Sequence, residues 1–159
     1  MGTRWLDESQ QHSWRALILG MTLLIDRLDD DLRKEHGLSL TEYEILMRLS
    51  EAPGRQLRMA RLADALAHSR SRVTHTVQRL ERSDLVVRSE SPEDGRGVLC
   101  RLTDHGFEVL EKAAVTHVDG VHAYIVDLAT REDFDALGRV MDSVADQLVA
   151  DHPAMEIRL

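Results

Sequence analysis

The sequence holds a single cysteine, Cys100, so it forms no intrachain disulfide and no multi-cysteine zinc site. Proline is nearly as scarce. Pro53, Pro92 and Pro153 each fall where another signal marks a break, which implies regular elements with few long loops. The longest helical apolar stretch, 14–32, is interrupted by Arg15, Asp26 and Arg27. It falls short of the roughly 20 unbroken apolar residues of a membrane span. No N-terminal run of charged, apolar and small residues resembles a secretion signal, so a cytoplasmic location is expected. Internal repeats and low-complexity tracts are missing too. No convergent set of titratable groups surrounds a nucleophile or a metal, so neither enzymatic activity nor a cofactor is expected.

What is present is 159 residues, 43% apolar and 30% charged, enough for one domain with a sizeable core or two small lobes. The formal net charge of -8 argues against a uniformly basic polyanion binder. The charge is unevenly spread. Residues 55–101 carry ten arginines against six acids, a balance of +4 that leaves -12 for the rest. A basic middle between acidic ends implies one functional surface on a scaffold that avoids polyanions.

Leu17, Ile18, Met21, Leu24, Ile25, Leu28 and Leu32 recur at three- and four-residue steps, which predicts a long amphipathic helix ended by His36-Gly37. Thr41 and Glu44 have capping-box spacing, with Leu40 placed to staple onto Ile45, and predict a second helix over 42–51 closed by Pro53-Gly54. Two short helical patterns follow at 59–67 and 69–83, with Ser69 as the N-cap of the second. So short a join is the helix-turn-helix pattern, and Ala63 is small enough for a close crossing. Strand-like runs at 85–88 and 98–102 flank a turn-prone loop, 91–97, which predicts a two-stranded hairpin. Thr103 caps a helix whose apolar rhythm runs through Gly106 to Leu128, and Thr130 caps the last one.

A helix-turn-helix followed by a hairpin is a winged helix-turn-helix. The expected fold is mainly α with a small β-hairpin wing, plus a helical region formed by the N- and C-terminal helices. With Val73, Val77 and Leu80 inward, the 69–83 helix turns Ser71, Thr74, His75 and Gln78 outward, flanked by Arg70, Arg72 and Arg79. Ser69 opens the same face. Such a surface suits a DNA major groove, where hydroxyl, amide and imidazole groups meet base edges and arginines grip phosphates. Arg96, at the loop tip, is placed to enter the minor groove, and Asp94 to hold the loop by accepting hydrogen bonds. An arginine-bearing helix face is more often merely solvated. Here helix, wing and the 55–61 lead-in cluster inside an acidic chain, which favours nucleic acid.

The stretch LRMARLADALAHSRSRVTHTVQRLERSDLVVRSESPEDGRGVLCRLTDHG, residues 57–106, resembles the core of the MarR family of bacterial transcriptional regulators. The resemblance rests on the recognition helix, the Leu-Glu-Arg lead into a strand, the wing Asp94-Gly95-Arg96 and the exit Leu102, Thr103, Gly106. The flanking long helices match the family's dimerisation region in order and length. The resemblance implies a homodimer joined through 8–37 and 104–150, with 41–103 as the DNA-binding lobe. It also implies a repressor on an inverted-repeat operator, released by a small aromatic acid bound between the two regions. Half-sites would lie about one helical turn, roughly 34 to 36 Å, apart.

Two branches of the family sense other signals. Redox sensing uses a cysteine near the start of the first long helix, whereas Cys100 sits on a predicted strand, where a lone cysteine is commonly a small buried apolar residue. Zinc sensing uses carboxylates and histidines. Glu35, His36, His117 and His122 have the type, but His117 and His122 lie five apart, off a shared helix face, so no metal site is expected. Trp14 and Arg15 are candidates for stacking on an aromatic effector and pairing its carboxylate, although Trp14 also fits the apolar stripe. The alternatives are a winged-helix protein-interaction module without specific DNA binding, or a metal- or redox-responsive regulator.

Overall fold

The computed structural model describes residues 2–93 and 95–150. Helix α1, Glu8–His36, starts at a reciprocal cap: Gln10 N–H donates to Asp7 Oδ1 at 2.8 Å and Asp7 N–H to Gln10 Oε1 at 3.1 Å. Gly37 ends it in the left-handed region, φ 67°, where the lack of Cβ removes the steric cost.

Helix α2, Leu40–Glu51, begins two residues before the expected position. Spacings that fit a capping box overlap here, and the one used is Ser39 with Glu42, not Thr41 with Glu44. The register follows from packing. Starting at Leu40 buries Leu40, Tyr43, Ile45, Leu46 and Leu49 together, and sends the Leu40 N–H to Asp29 Oδ1 of α1 at 2.8 Å. Leu40 is therefore the first helical residue and no staple onto Ile45 forms.

A 3₁₀ turn, Pro53–Arg55, leads into a short strand β1, Gln56–Arg58, that the sequence reading missed. Helices α3, Met59–Ala65, and α4, Arg70–Arg82, form the helix-turn-helix. Ala67, φ 52°, closes its turn, and His68 N–H reaches back to Ala63 O at 3.1 Å. Strands β2, Val86–Glu90, and β3, Val98–Leu102, make the hairpin. The sheet is three-stranded and antiparallel in the order β1-β3-β2, with Leu57 opposite Cys100.

Helix α5, Asp104–Tyr124, is capped by Thr103, as the sequence indicates. A Cβ on Gly106 would lie 2.0 Å from Leu85 O, so only glycine lets α5 meet the start of the wing. The helix stops before Leu128, contrary to the apolar rhythm. Ala129 must be extended for Thr130 to cap α6, so 126–128 form a separate 3₁₀ turn. Helix α6, Arg131–Ala150, follows.

The core gathers Leu32, Ile45, Leu46, Leu49, Leu62, Val73, Val77, Leu80, Val86 and Cys100 around α2. Leu28 and Leu32 from α1 and Leu110 and Ala113 from α5 join it, which sets both long helices firmly on the winged lobe. Helix α6 has no buried residue. No helix among the described residues is long and apolar enough to cross a membrane.

Candidate nucleic-acid interface

Helix α4 is positioned from both ends. Ser69 Oγ accepts the Arg72 N–H at 3.2 Å, and Val73, Thr76, Val77 and Leu80 turn into the core. Thr76 is tolerated there because its hydroxyl donates to Arg72 O at 3.0 Å. At the C-terminal end, Glu81 accepts the Arg88 backbone N–H at 3.1 Å and two guanidinium bonds at 3.1 and 2.9 Å. Those bonds, with the side-chain pair foremost, hold the Glu81 carboxyl below the usual range. They also lock the helix to strand β2 of the wing.

The face so presented matches the sequence expectation in most positions. Ser69, Arg70, Ser71, Arg72, His75 and Arg79 are exposed, while Thr74 and Gln78 are half-buried. Ser71, His75, Gln78 and Arg82 succeed one another at four- and three-residue steps, one polar stripe with an arginine at its end. Arg79 is also held from within the lobe, by a partner the sequence does not indicate. Its Nε donates to Glu42 Oε1 on α2 at 3.0 Å. The sequence spacing pairs Thr41 with Glu44 and so leaves Glu42 without a role, whereas the cap that forms is Ser39 with Glu42.

The wing closes through Ser91 N–H to Gly97 O at 2.7 Å and Gly95 N–H to Ser91 O at 3.1 Å, with Gly95 at φ 62°. Arg96 is exposed at this tip, and Arg58 of β1 pairs with Glu93 at 3.3 Å. Asp94 lies outside the described residues. The missed strand β1 thus braces the wing from the side opposite β2.

Beside α4 a cleft of about 500 Å³ separates that helix from α1. Ile25, Asp29 and Arg33 of α1 form one wall, Leu40 and Glu44 of α2 the floor, and His68, Arg72, His75 and Arg79 the other wall. Burial pushes the Glu44 carboxyl up, partly offset by Arg48 and Arg72. Burial also pushes the His68 imidazole down, helped by Arg72, and its Nδ1 is buried without a hydrogen-bond partner. Trp14 and Arg15 do not line this cleft. Trp14 is 55% exposed, outside the core of its own chain, and Arg15 bonds Gln11 one turn earlier.

The remaining candidates resolve simply. Cys100 is fully buried and its thiol is pushed up to about 12, chiefly by burial, so it presents no thiolate to an oxidant at neutral pH. His36 bonds Thr116 at 2.7 Å, His117 stacks on Tyr43 with centroids 4.5 Å apart, and His122 faces Asp127 at 3.4 Å. Among the described residues no three His, Cys, Asp or Glu side chains gather as a metal would need.

A helix-turn-helix with an exposed polar face, locked to an arginine-tipped hairpin, defines a winged helix-turn-helix protein. Comparison with known proteins narrows this class. The MarR family profile matches residues 36–97. The solved structure of Sco3205, a MarR family transcriptional regulator from Streptomyces coelicolor in complex with DNA, is 41% identical with a TM-score of 0.90, and the match covers 92% of each chain. AbsC, another MarR family regulator from that organism, is 38% identical with a TM-score of 0.88, over 93% of this chain and 99% of its own. Among curated proteins, the HTH-type transcriptional regulator PecS of Dickeya dadantii is 32% identical over 101 residues, 62% of this chain and 60% of its own. YkoM of Bacillus subtilis, an uncharacterised HTH-type regulator, is 34% identical over 53% of each chain. The chain thus spans little more than half the length of these curated relatives. It belongs to the MarR family.

Proposed function

We propose that this protein is a transcriptional repressor that binds an inverted repeat in double-stranded DNA as a homodimer. The observation that carries the reading is the pairing of the α4 stripe with the wing through Glu81 and Arg88, which presents base-reading and phosphate-gripping groups as one rigid unit. In this reading Ser71, Thr74, His75 and Gln78 meet base edges, Ser69, Arg70, Arg72 and Arg79 meet the backbone, and Arg96 enters the minor groove, with Asp94 holding the loop. The complex of the related Sco3205 with DNA supports it.

Residues 8–37 and 104–150 form the dimer region, and 41–103 the DNA lobe. Leu19, Leu23, Val118, Val144 and Leu148 are exposed on a single chain, a larger apolar surface than monomers commonly leave bare. The cleft between α1 and α4 is the place for a small effector that alters lobe spacing, since it touches both regions. Trp14 and Arg15 join an effector site only where a second copy brings them to it.

The test is fluorescence anisotropy on the DNA upstream of the gene. Sequence-selective binding whose affinity falls steeply with salt supports the reading. Salt-insensitive or absent binding would favour a protein-interaction module.

A further inference from the structure

Glu42 lies in the first turn of α2, and its side chain is only 12% exposed. It serves two helices at once. Oε2 accepts the Ser39 N–H at 2.9 Å, completing the cap of α2, while Oε1 accepts Arg79 Nε of α4 at 3.0 Å. The Arg79 side chain is 45% exposed, so the pair sits at the boundary between core and solvent. A buried carboxylate needs a cation, and a flexible arginine loses many rotamers when it is held.

The bond engages Nε alone. A guanidinium has five N–H donors in a flat fork, so the Nη1 and Nη2 groups remain to donate to a second anion in the same plane. From this geometry we infer that Glu42 is a positioning residue for DNA: it fixes the Arg79 guanidinium by Nε so that Nη1 and Nη2 grip one backbone phosphate. The inference rests on the DNA-binding reading above. It goes beyond it by giving a buried acid on α2, outside the groove-facing surface, a part in affinity. It also makes Arg79 irreplaceable by lysine, whose single ammonium cannot present two such edges.

Glutamine separates the two duties of Glu42, because its amide oxygen still caps Ser39 N–H while the charge that holds Arg79 is gone. The experiment measures duplex affinity against salt, with thermal melting as the check on folding, for wild type, Glu42→Gln, Arg79→Ala and the double variant. Arg79→Ala is expected to weaken binding about tenfold and to lower the magnitude of the salt slope by about 1. Glu42→Gln is expected to weaken binding about three- to tenfold with the slope unchanged, and to cause no further loss once Arg79 is alanine. Wild-type affinity in Glu42→Gln, or losses that simply add in the double variant, would overturn the inference. Should Glu42→Gln fail to fold, Arg79→Lys decides at an exposed position with charge retained: several-fold weaker binding upholds the inference and equal binding overturns it. A wild-type protein that binds no duplex overturns the DNA-binding reading itself and this inference with it, an outcome distinct from a binding protein indifferent to these variants.

Discussion

The winged lobe and the chain's two ends carry amphipathic helices of similar apolar rhythm, yet they treat their apolar faces in opposite ways. In the lobe, Val73, Val77 and Leu80 of α4 vanish against α2, and Ile45, Leu46 and Leu49 are fully buried. At the ends, the first half of α1 and all of α6 leave Ile18, Leu19, Leu23, Val140 and Leu148 exposed. Periodicity states that a face must be covered; it does not say by what. The lobe covers its own faces and so holds α4 rigidly, whereas the ends leave theirs bare on a single chain, where the proposed dimer would cover them.

The comparison breaks first if core and ends respond alike. Leu46→Ala should cost about 2–5 kcal/mol of unfolding free energy, read by urea denaturation, because Leu46 is fully buried. Leu23→Asp combined with Val144→Asp should instead leave the helical circular dichroism of the lobe largely intact, while light scattering reports a monomer. Loss of all structure in that double variant would mean the ends are needed to fold the lobe.

Much of this contrast is legible in the sequence because caps and breakers act locally. Ser69, Thr103 and Gly37 each do what their residue types favour, and α4's inward and outward faces follow from its spacing. Other features depend on partners distant in sequence. Strand β1 is three residues long and exists because β3 offers it a ladder, and Cys100 is buried by that pairing. The cap of α2 is chosen by Asp29 on another helix, and that choice also assigns Glu42 to Arg79. The end of α5 was hidden because apolar residues continue in rhythm through the 3₁₀ turn that breaks it.

Within the lobe the comparison sharpens to single groups. Arg96→Ala should weaken binding to all sequences and reduce the magnitude of the salt slope by about 1, seen in anisotropy titrations at several salt concentrations. A wing that makes no phosphate or groove contact would leave affinity and slope unaltered. Acid should also act at two half-buried histidines, His68 in the lobe and His117 of α5 where it stacks on Tyr43. Burial lowers the folded-state affinity of His68 and His117 for protons, so the unfolded chain binds more protons below the ordinary histidine value of 6.5. Their contribution is present above 6.5 and fades as pH falls below it. Melting temperature should therefore drop from pH 7 to pH 5.5 in wild type, and drop less in His68→Gln; equal slopes would remove His68 from the account. The smallest effect concerns Cys100, whose thiol should resist iodoacetamide at pH 8 in the native protein and react fully in urea.

The central claim is that the α4 stripe reads bases while the ends set the spacing of two such lobes. Selection of bound duplexes from a random pool, run side by side with wild type, His75→Ala and Gln78→Ala, tests both halves at once. Wild type should enrich an inverted repeat with half-sites about one helical turn apart, and the variants an altered half-site at the same spacing. Enrichment of no common sequence, or the same site for all three proteins, would contradict it.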